Sequence, residues 1–222
     1  MYNFTLQIPT RIHFGKDTIS YLSELKEYGD KVLLVYGGGS IKKNGIYDTA
    51  MQLLKDAALT VFELSGVEPN PRIETVRKGV TICKEEGIDM VLAIGGGSTI
   101  DCSKVIAAGA KYDGDAWDLV LDATKIKAAL PIFDVLTLSA TGTEMDPFAV
   151  ISDLTKNEKW GTGSPYMVPT MSILNPEYTY SVSKKQTAAG TADMMSHTME
   201  NYFSMENADC QKFMAEDRKS VV

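Results

Sequence analysis

Short apolar runs alternate with longer stretches of helical period through most of the chain. KVLLVY (31–36), TVFEL (60–64) and MVLAIGGG (90–97) are dense in β-branched and aliphatic residues, and between them IYDTAMQLLKDA (46–57) and ETVRKGVTICKEEG (74–87) repeat apolar positions three and four apart. Apolar strands separated by amphipathic helices predict a parallel sheet covered on both faces, an α/β fold. FDVLTLSA (133–140) continues the sheet, FTLQIPTRIHFG supplies two more strands at one edge, and FAVISDLTKNEKWGTG (148–163) predicts a hairpin turning around Thr155 to Asn157.

From about Lys184 the pattern becomes helical only, which divides the chain into an α/β domain over 1–182 and the start of an all-helical domain over 183–222. Met194, Met195, Thr198, Tyr202 and Phe203 give the second segment more apolar surface than so short a stretch can bury alone, and so predict a partner for it.

Composition narrows the function classes. With 22 Lys and Arg against 29 Asp and Glu, the net charge of -7 has the wrong sign for a nucleic-acid binder, and no local basic patch interrupts it. The start MYNFTLQIPT has no basic region followed by an apolar core, and no apolar run approaches the roughly 20 residues that cross a bilayer, so the expected setting is a soluble, cytoplasmic one without a membrane partner. Cys83, Cys102 and Cys210 are odd in number and widely spaced, which indicates neither a disulfide framework nor a thiolate metal site.

Candidate chemistry lies at the strand ends. Two strands run into a glycine triplet followed by serine, GGGS at 37–40 and GGGSTID at 95–101. A strand that passes through glycines into a helix N-terminus exposes backbone N–H groups to an anion and lets a pyrophosphate approach closely. Neither turn has the Rossmann or P-loop spacing; one alone would read as a plain βα connection, whereas two at the carboxyl ends of parallel strands favour a dinucleotide. LSATGTEMD (138–146) places small hydroxyl residues and a glycine at a third strand end, fit either to bond a nicotinamide amide or ribose or to serve as a capped turn.

A different chemistry is suggested by GTADMMSHTMENYF (190–203), where Asp193 and His197 stand four residues apart on one helix face and so can converge on one ion. Two ligands do not complete a site, since zinc and ferrous centres take three or four protein donors. The second histidine, His13, reads as a polar residue on an edge strand.

Taken in order, GGGS, PNP (69–71), GGGSTID, the TGTE turn and AGTADMMSH resemble the iron-containing, or group III, alcohol dehydrogenase family, most of all its butanol dehydrogenase-like branch. The resemblance implies an N-terminal α/β dinucleotide-binding domain and a C-terminal helical metal-binding domain with the active site between them. It implies that Gly95, Gly96, Gly97 and Ser98 hold the cofactor pyrophosphate with Asp101 close by, that Gly37, Gly38 and Ser40 surround the adenosine ribose with Asn70 nearby, and that Thr137, Leu138 and Lys159 make further cofactor contacts. Lys159 reads equally well as a solvated hairpin lysine. Either NADP or NAD is implied; glycines and Ser40 at the first turn, in place of a carboxylate that would bond a ribose 2′-hydroxyl, tilt the expectation to NADP.

Asp193 and His197 match the family's first two metal ligands, for Fe2+ or alternatively Zn2+. The family takes two more histidine ligands from later in its helical domain, which this chain does not reach, and EDRKSVV departs from the apolar helical continuation expected there. The resemblance therefore implies a C-terminally truncated oxidoreductase that interconverts small alcohols and aldehydes by hydride transfer, with impaired catalysis, no identifiable general base, and a homodimer as its assembly. A glycerol dehydrogenase-like or dehydroquinate synthase-like relative, or a non-catalytic nucleotide-binding fragment, are the rival readings.

Overall fold

The structure is a computed structural model that describes residues 7–203; Cys210, EDRKSVV and the Phe4 end of the first expected strand lie outside the described residues. The chain divides into two compact units at Tyr180 and Ser181.

The first unit is built on a six-stranded sheet in the order β1-β8-β5-β4-β2-β3. Its members are β1 (Arg11–Phe14), β2 (Lys31–Tyr36), β3 (Thr60–Leu64), β4 (Met90–Gly95), β5 (Ile132–Leu136) and β8 (Met171–Leu174). Every pairing is parallel, as the unbroken apolar runs require. The helices are α1 (Ser40–Lys43), α2 (Ile46–Asp56), α3 (Ile73–Glu86), α4 (Gly97–Ala110) and α5 (Ala116–Leu121). One core cluster joins α3, α4 and α5 to Leu33, Val35 and Val91; the other joins α2 and the 3-10 helix Thr18–Tyr28 to Leu34, Leu92 and Phe133. Alternate residues of one strand thus enter opposite cores, the two-sided burial that a continuous apolar strand encodes.

β6 (Phe148–Asp153) and β7 (Glu158–Gly163) form a separate antiparallel hairpin. Its turn is fixed by Asp153, whose Oδ1 accepts the Thr155 amide at 2.9 Å, and by Asn157 in the left-handed region at φ 54°.

One expectation needs correction, and two features of the sheet edge lie outside what the local pattern predicted. The strand expected over 133–140 ends at Leu136, because its neighbour β4 stops at Gly95 and turns into α4, leaving the Thr137 amide a last ladder bond to the Gly95 carbonyl and the residues beyond no partner strand. Within the described residues the N-terminal segment contributes one strand, β1. The strand that pairs with β1 is β8, a four-residue stretch too short to show a period.

The second unit, within the described residues, is α6 (Lys184–Tyr202). Met194, Met195, Met199 and Phe203 stand 51, 50, 49 and 72 % exposed on it and in the residue that follows. No helix among the described residues is long and apolar enough to cross a membrane.

Candidate functional site

Strand order places the glycine turns together. β3 lies on one side of β2, while β4, β5 and β8 continue on the other, so the order reverses between β2 and β4. In open parallel sheets ligands bind at such a reversal, outside the carboxyl ends of the strands. Those two strands end in Gly37–Ser40 and Gly95–Ser98, and β5 ends beside them in the TGTE turn.

The glycines of the second turn are required by close approach. A Cβ on Gly95 would stand 2.4 Å from Thr99 Oγ1, on Gly96 3.2 Å from Leu138 Cβ, and on Gly97 2.7 Å from Thr141 Oγ1. The turn 137–141 therefore packs directly on the start of α4. That helix has no side-chain cap and no acidic residue in its first turn. Its leading N–H groups are open to an anion, with the helix dipole adding positive potential. At the first turn Gly39 takes φ 93°, and the Gly37 carbonyl accepts the Gly66 amide at 3.1 Å.

Several residues distant in sequence converge here. The Asn70 amide donates to Ser98 Oγ at 3.2 Å, and Lys159 Nζ donates to Asn70 Oδ1 at 2.7 Å. The hairpin lysine is thereby held beside the uncapped helix end. Asp101 faces another way: Oδ1 accepts the Thr143 hydroxyl at 2.6 Å and Oδ2 the Val150 amide at 3.0 Å. Burial lifts its carboxyl above the ordinary value, with those two donors opposing the shift. Deeper in the sheet, Ser172 Oγ lies 2.5 Å from Asp134 Oδ2 and 2.7 Å from the Glu144 carbonyl. An open cavity of about 260 Å³ sits at the ends of β1, β5 and β8, lined by Phe14, Leu136, Ser139, Glu144, Leu174 and Pro176, among others.

On α6, His197 Nε2 lies 3.6 Å from Asp193 Oδ2, so the two candidate ligands do meet on one helix face. Among the described residues no group of three or more His, Cys, Asp or Glu side chains is positioned to hold a metal ion. His13 lies on the edge strand β1, stacked on Tyr21 with ring centroids 3.6 Å apart.

Residues 9–176 match the family described as iron-containing alcohol dehydrogenase. The chain belongs to that family. It is 60% identical over 218 residues to NADH-dependent butanol dehydrogenase A of Clostridium acetobutylicum, covering 97% of this chain and 56% of that protein. It is 42% identical over 205 residues to an NADPH-dependent aldehyde reductase of Escherichia coli, covering 91% of this chain and 52% of that one. The crystal structure of NADH-dependent butanol dehydrogenase A from Thermotoga maritima superposes with a TM-score of 0.92 at 45% identity, covering 98% of this chain and 55% of that one. The chain spans about half the length of the curated relatives it matches.

Family membership accounts for the α/β fold around the glycine turns. The anion-ready start of α4, closed in by Leu138 and Thr141, fits a dinucleotide pyrophosphate. For the family's metal the fit is partial: a carboxylate and an imidazole are donors that Fe2+ and Zn2+ accept, and the pair supplies two of the usual three or four.

Sequence reasoning passed over Lys104, Glu63 and Asp134. Glu63 of β3 is tied to the first turn region: its carboxylate accepts the hydroxyls of Tyr36 at 2.7 Å and Tyr47 at 2.9 Å, with Lys42 Nζ at 3.9 Å. A carboxylate standing ~20 or more residues after the first glycine turn was the signal available for it.

Proposed function

We propose that this chain binds NADP or NAD in the crevice between the ends of β2 and β4, as the dinucleotide-binding part of a metal-dependent oxidoreductase that interconverts small alcohols and aldehydes. The observation that carries the reading is the convergence at the sheet's reversal point of the Gly95–Ser98 helix start with Asn70 and Lys159. In this proposal the backbone of Gly95, Gly96, Gly97 and Ser98 takes the pyrophosphate, Lys159 adds positive charge to it, and Gly37, Gly38 and Ser40 receive the adenosine ribose. Thr137 and Leu138 border the nicotinamide side, and Asp101 acts by holding the TGTE turn.

Asp193 and His197 would hold Fe2+, or Zn2+, as part of its coordination shell. A bound ion would supply Lewis-acid polarisation of an alcohol or aldehyde oxygen, and the nicotinamide would supply or accept the hydride. The chain's own part is to fix the cofactor at the strand ends, beside the open cavity that Leu136 and Leu174 line at the ends of β5 and β8.

Both cofactors stay within the proposal. Absence of an acidic residue in the first turn admits a 2′-phosphate, while Glu63 brings a carboxylate into the same region and the butanol dehydrogenase relatives are named for NADH. A homodimer through the outer edge of β1 belongs to the same reading, because that strand ends the sheet.

The test is titration of the 222-residue chain with NADH and NADPH, followed by nicotinamide fluorescence, with metal content measured on the same sample. Saturable binding of either cofactor is expected. No saturable binding of either would refute the crevice assignment, and turnover of butanal or 1-butanol that is indifferent to chelators would refute the metal's part.

A further inference from the structure

The cofactor contacts leave one charged side chain unexplained. Lys104 lies on α4, two turns beyond the glycine cradle, with its side chain 0% exposed. Its ammonium donates to Thr143 Oγ1 at 2.8 Å, to Asp146 Oδ1 at 2.9 Å, and to the carbonyls of Asp146 at 2.8 Å and Phe148 at 2.9 Å. Thr143 passes its own hydrogen on to Asp101 Oδ1, and Asp101 Oδ2 takes the Val150 amide. Asp101 and Lys104 are three residues apart, on one face of α4. Between them they grip residues 143, 146, 148 and 150, the whole passage from the TGTE turn into β6.

A buried lysine is an expensive way to fill space. Burial lowers its pKa below the ordinary lysine value against the pull of Asp146, Asp101 and Asp134. An apolar side chain of similar length would avoid that desolvation. What it could not do is supply the three N–H donors that Lys104 shares among the two carbonyls, the carboxylate and the hydroxyl that this segment presents. Residues 137–147 belong to no strand or helix, and Gly142 takes φ 72°. A loop of this kind orders itself at an entropic cost that would otherwise fall on ligand binding.

We infer that Lys104 is a positioning residue for the nicotinamide half of the cofactor, tying the TGTE turn to the helix whose N-terminus meets the pyrophosphate. This inference rests on the dinucleotide reading above. It separates two kinds of ligand: one that spans both the glycine cradle and the TGTE turn feels the clamp, and one that reaches the glycines alone does not.

The experiment compares the full 222-residue chain with Lys104→Met, Thr143→Val and Thr143→Ser, titrating each with NADH, NADPH and ADP. Lys104→Met and Thr143→Val are expected to lose about tenfold in dinucleotide affinity while ADP stays within about twofold, and Thr143→Ser, which keeps the bridging hydroxyl, is expected to bind like the parent. Hydrogen exchange at the Val150 amide should also quicken in Lys104→Met. Equal losses for ADP and dinucleotide, or no loss for either, would overturn the inference. If Lys104→Met does not fold, the Thr143 pair decides by the same criteria. A parent chain that binds neither dinucleotide overturns the crevice reading and this inference with it; a parent that binds, with variants that do not separate the ligands, overturns the inference alone.

Discussion

Asp134→Asn removes an ionisable proton from the sheet while keeping the side chain's shape. Asp134 is 1% exposed on β5, and its Oδ1 has no hydrogen-bond partner among the described residues. Complete burial holds its carboxyl well above the usual carboxylate range, beyond what Ser172 and the charge of Lys104 offset. A protonated Asp134 also resolves the bonding of Ser172. That hydroxyl has one hydrogen and two neighbouring oxygens, Asp134 Oδ2 and the Glu144 carbonyl. If the carboxyl donates to Ser172, the serine is free to donate to Glu144 and so to anchor the TGTE turn from below.

The unfolded side chain ionises near pH ~3.9, so between that pH and the raised folded value the native state holds one more proton than the unfolded state. The group's contribution is fully present below the unfolded pKa and is lost as pH rises through the folded one. The slope across that window is about 1.4 kcal/mol per pH unit, large against a domain stability of roughly 5–15 kcal/mol. Urea unfolding followed by circular dichroism, in steps from about pH 5 to about pH 8, measures it. The stability of the parent minus that of Asp134→Asn should decline with pH at that slope for as long as the folded carboxyl stays protonated. A difference that is flat, or that grows with pH, would mean an ionised Asp134 in the native state and would refute the bonding scheme.

Gly97→Val would drive a Cβ to within 2.7 Å of Thr141 Oγ1 and should weaken NADH binding by more than about tenfold; unchanged titration would move the pyrophosphate away from α4. Lys159→Ala should weaken both cofactors by about fivefold at low salt, and the deficit should shrink near ~0.5 M salt as the charge is screened; a salt-independent deficit would point to the Asn70 bond and not to charge. Asp193→Ala and His197→Ala should each lower Co2+ affinity, read from the ion's visible absorption, by about tenfold or more, and an affinity unchanged from the parent in both variants would place the ion on other donors.

Much of this molecule was legible in local pattern. Burial on both faces makes β2 and β4 continuous apolar runs, and α2 and α3 carry the period of a one-sided helix, so the parallel α/β class and the positions of these elements follow from residues 31–95 alone. The hairpin was legible because Asp153 and Asn157 meet backbone demands within a few residues. The glycine turns were legible too, since glycine is needed wherever backbone must approach backbone or ligand, and the Asp193 and His197 pair follows from helix geometry. The short strand β8 was not, because four residues carry no period and their place between β1 and β5 depends on the finished sheet.

Only the tertiary structure decided how those local pieces meet. The order β5-β4-β2 brings three separate turns to one crevice, and no segment's own periodicity encodes its neighbours. The same holds for the buried titratable side chains: Lys104 finds its acceptors 39 to 44 residues away and Asp134 its serine 38 residues away. In the sequence Lys104 reads as an ordinary helix lysine and Asp134 as an interruption of a strand. Their roles arise when burial strips away water and leaves each polar group to whichever partner the fold delivers, and that delivery is a property of the assembled sheet and helices, not of any stretch of chain taken alone.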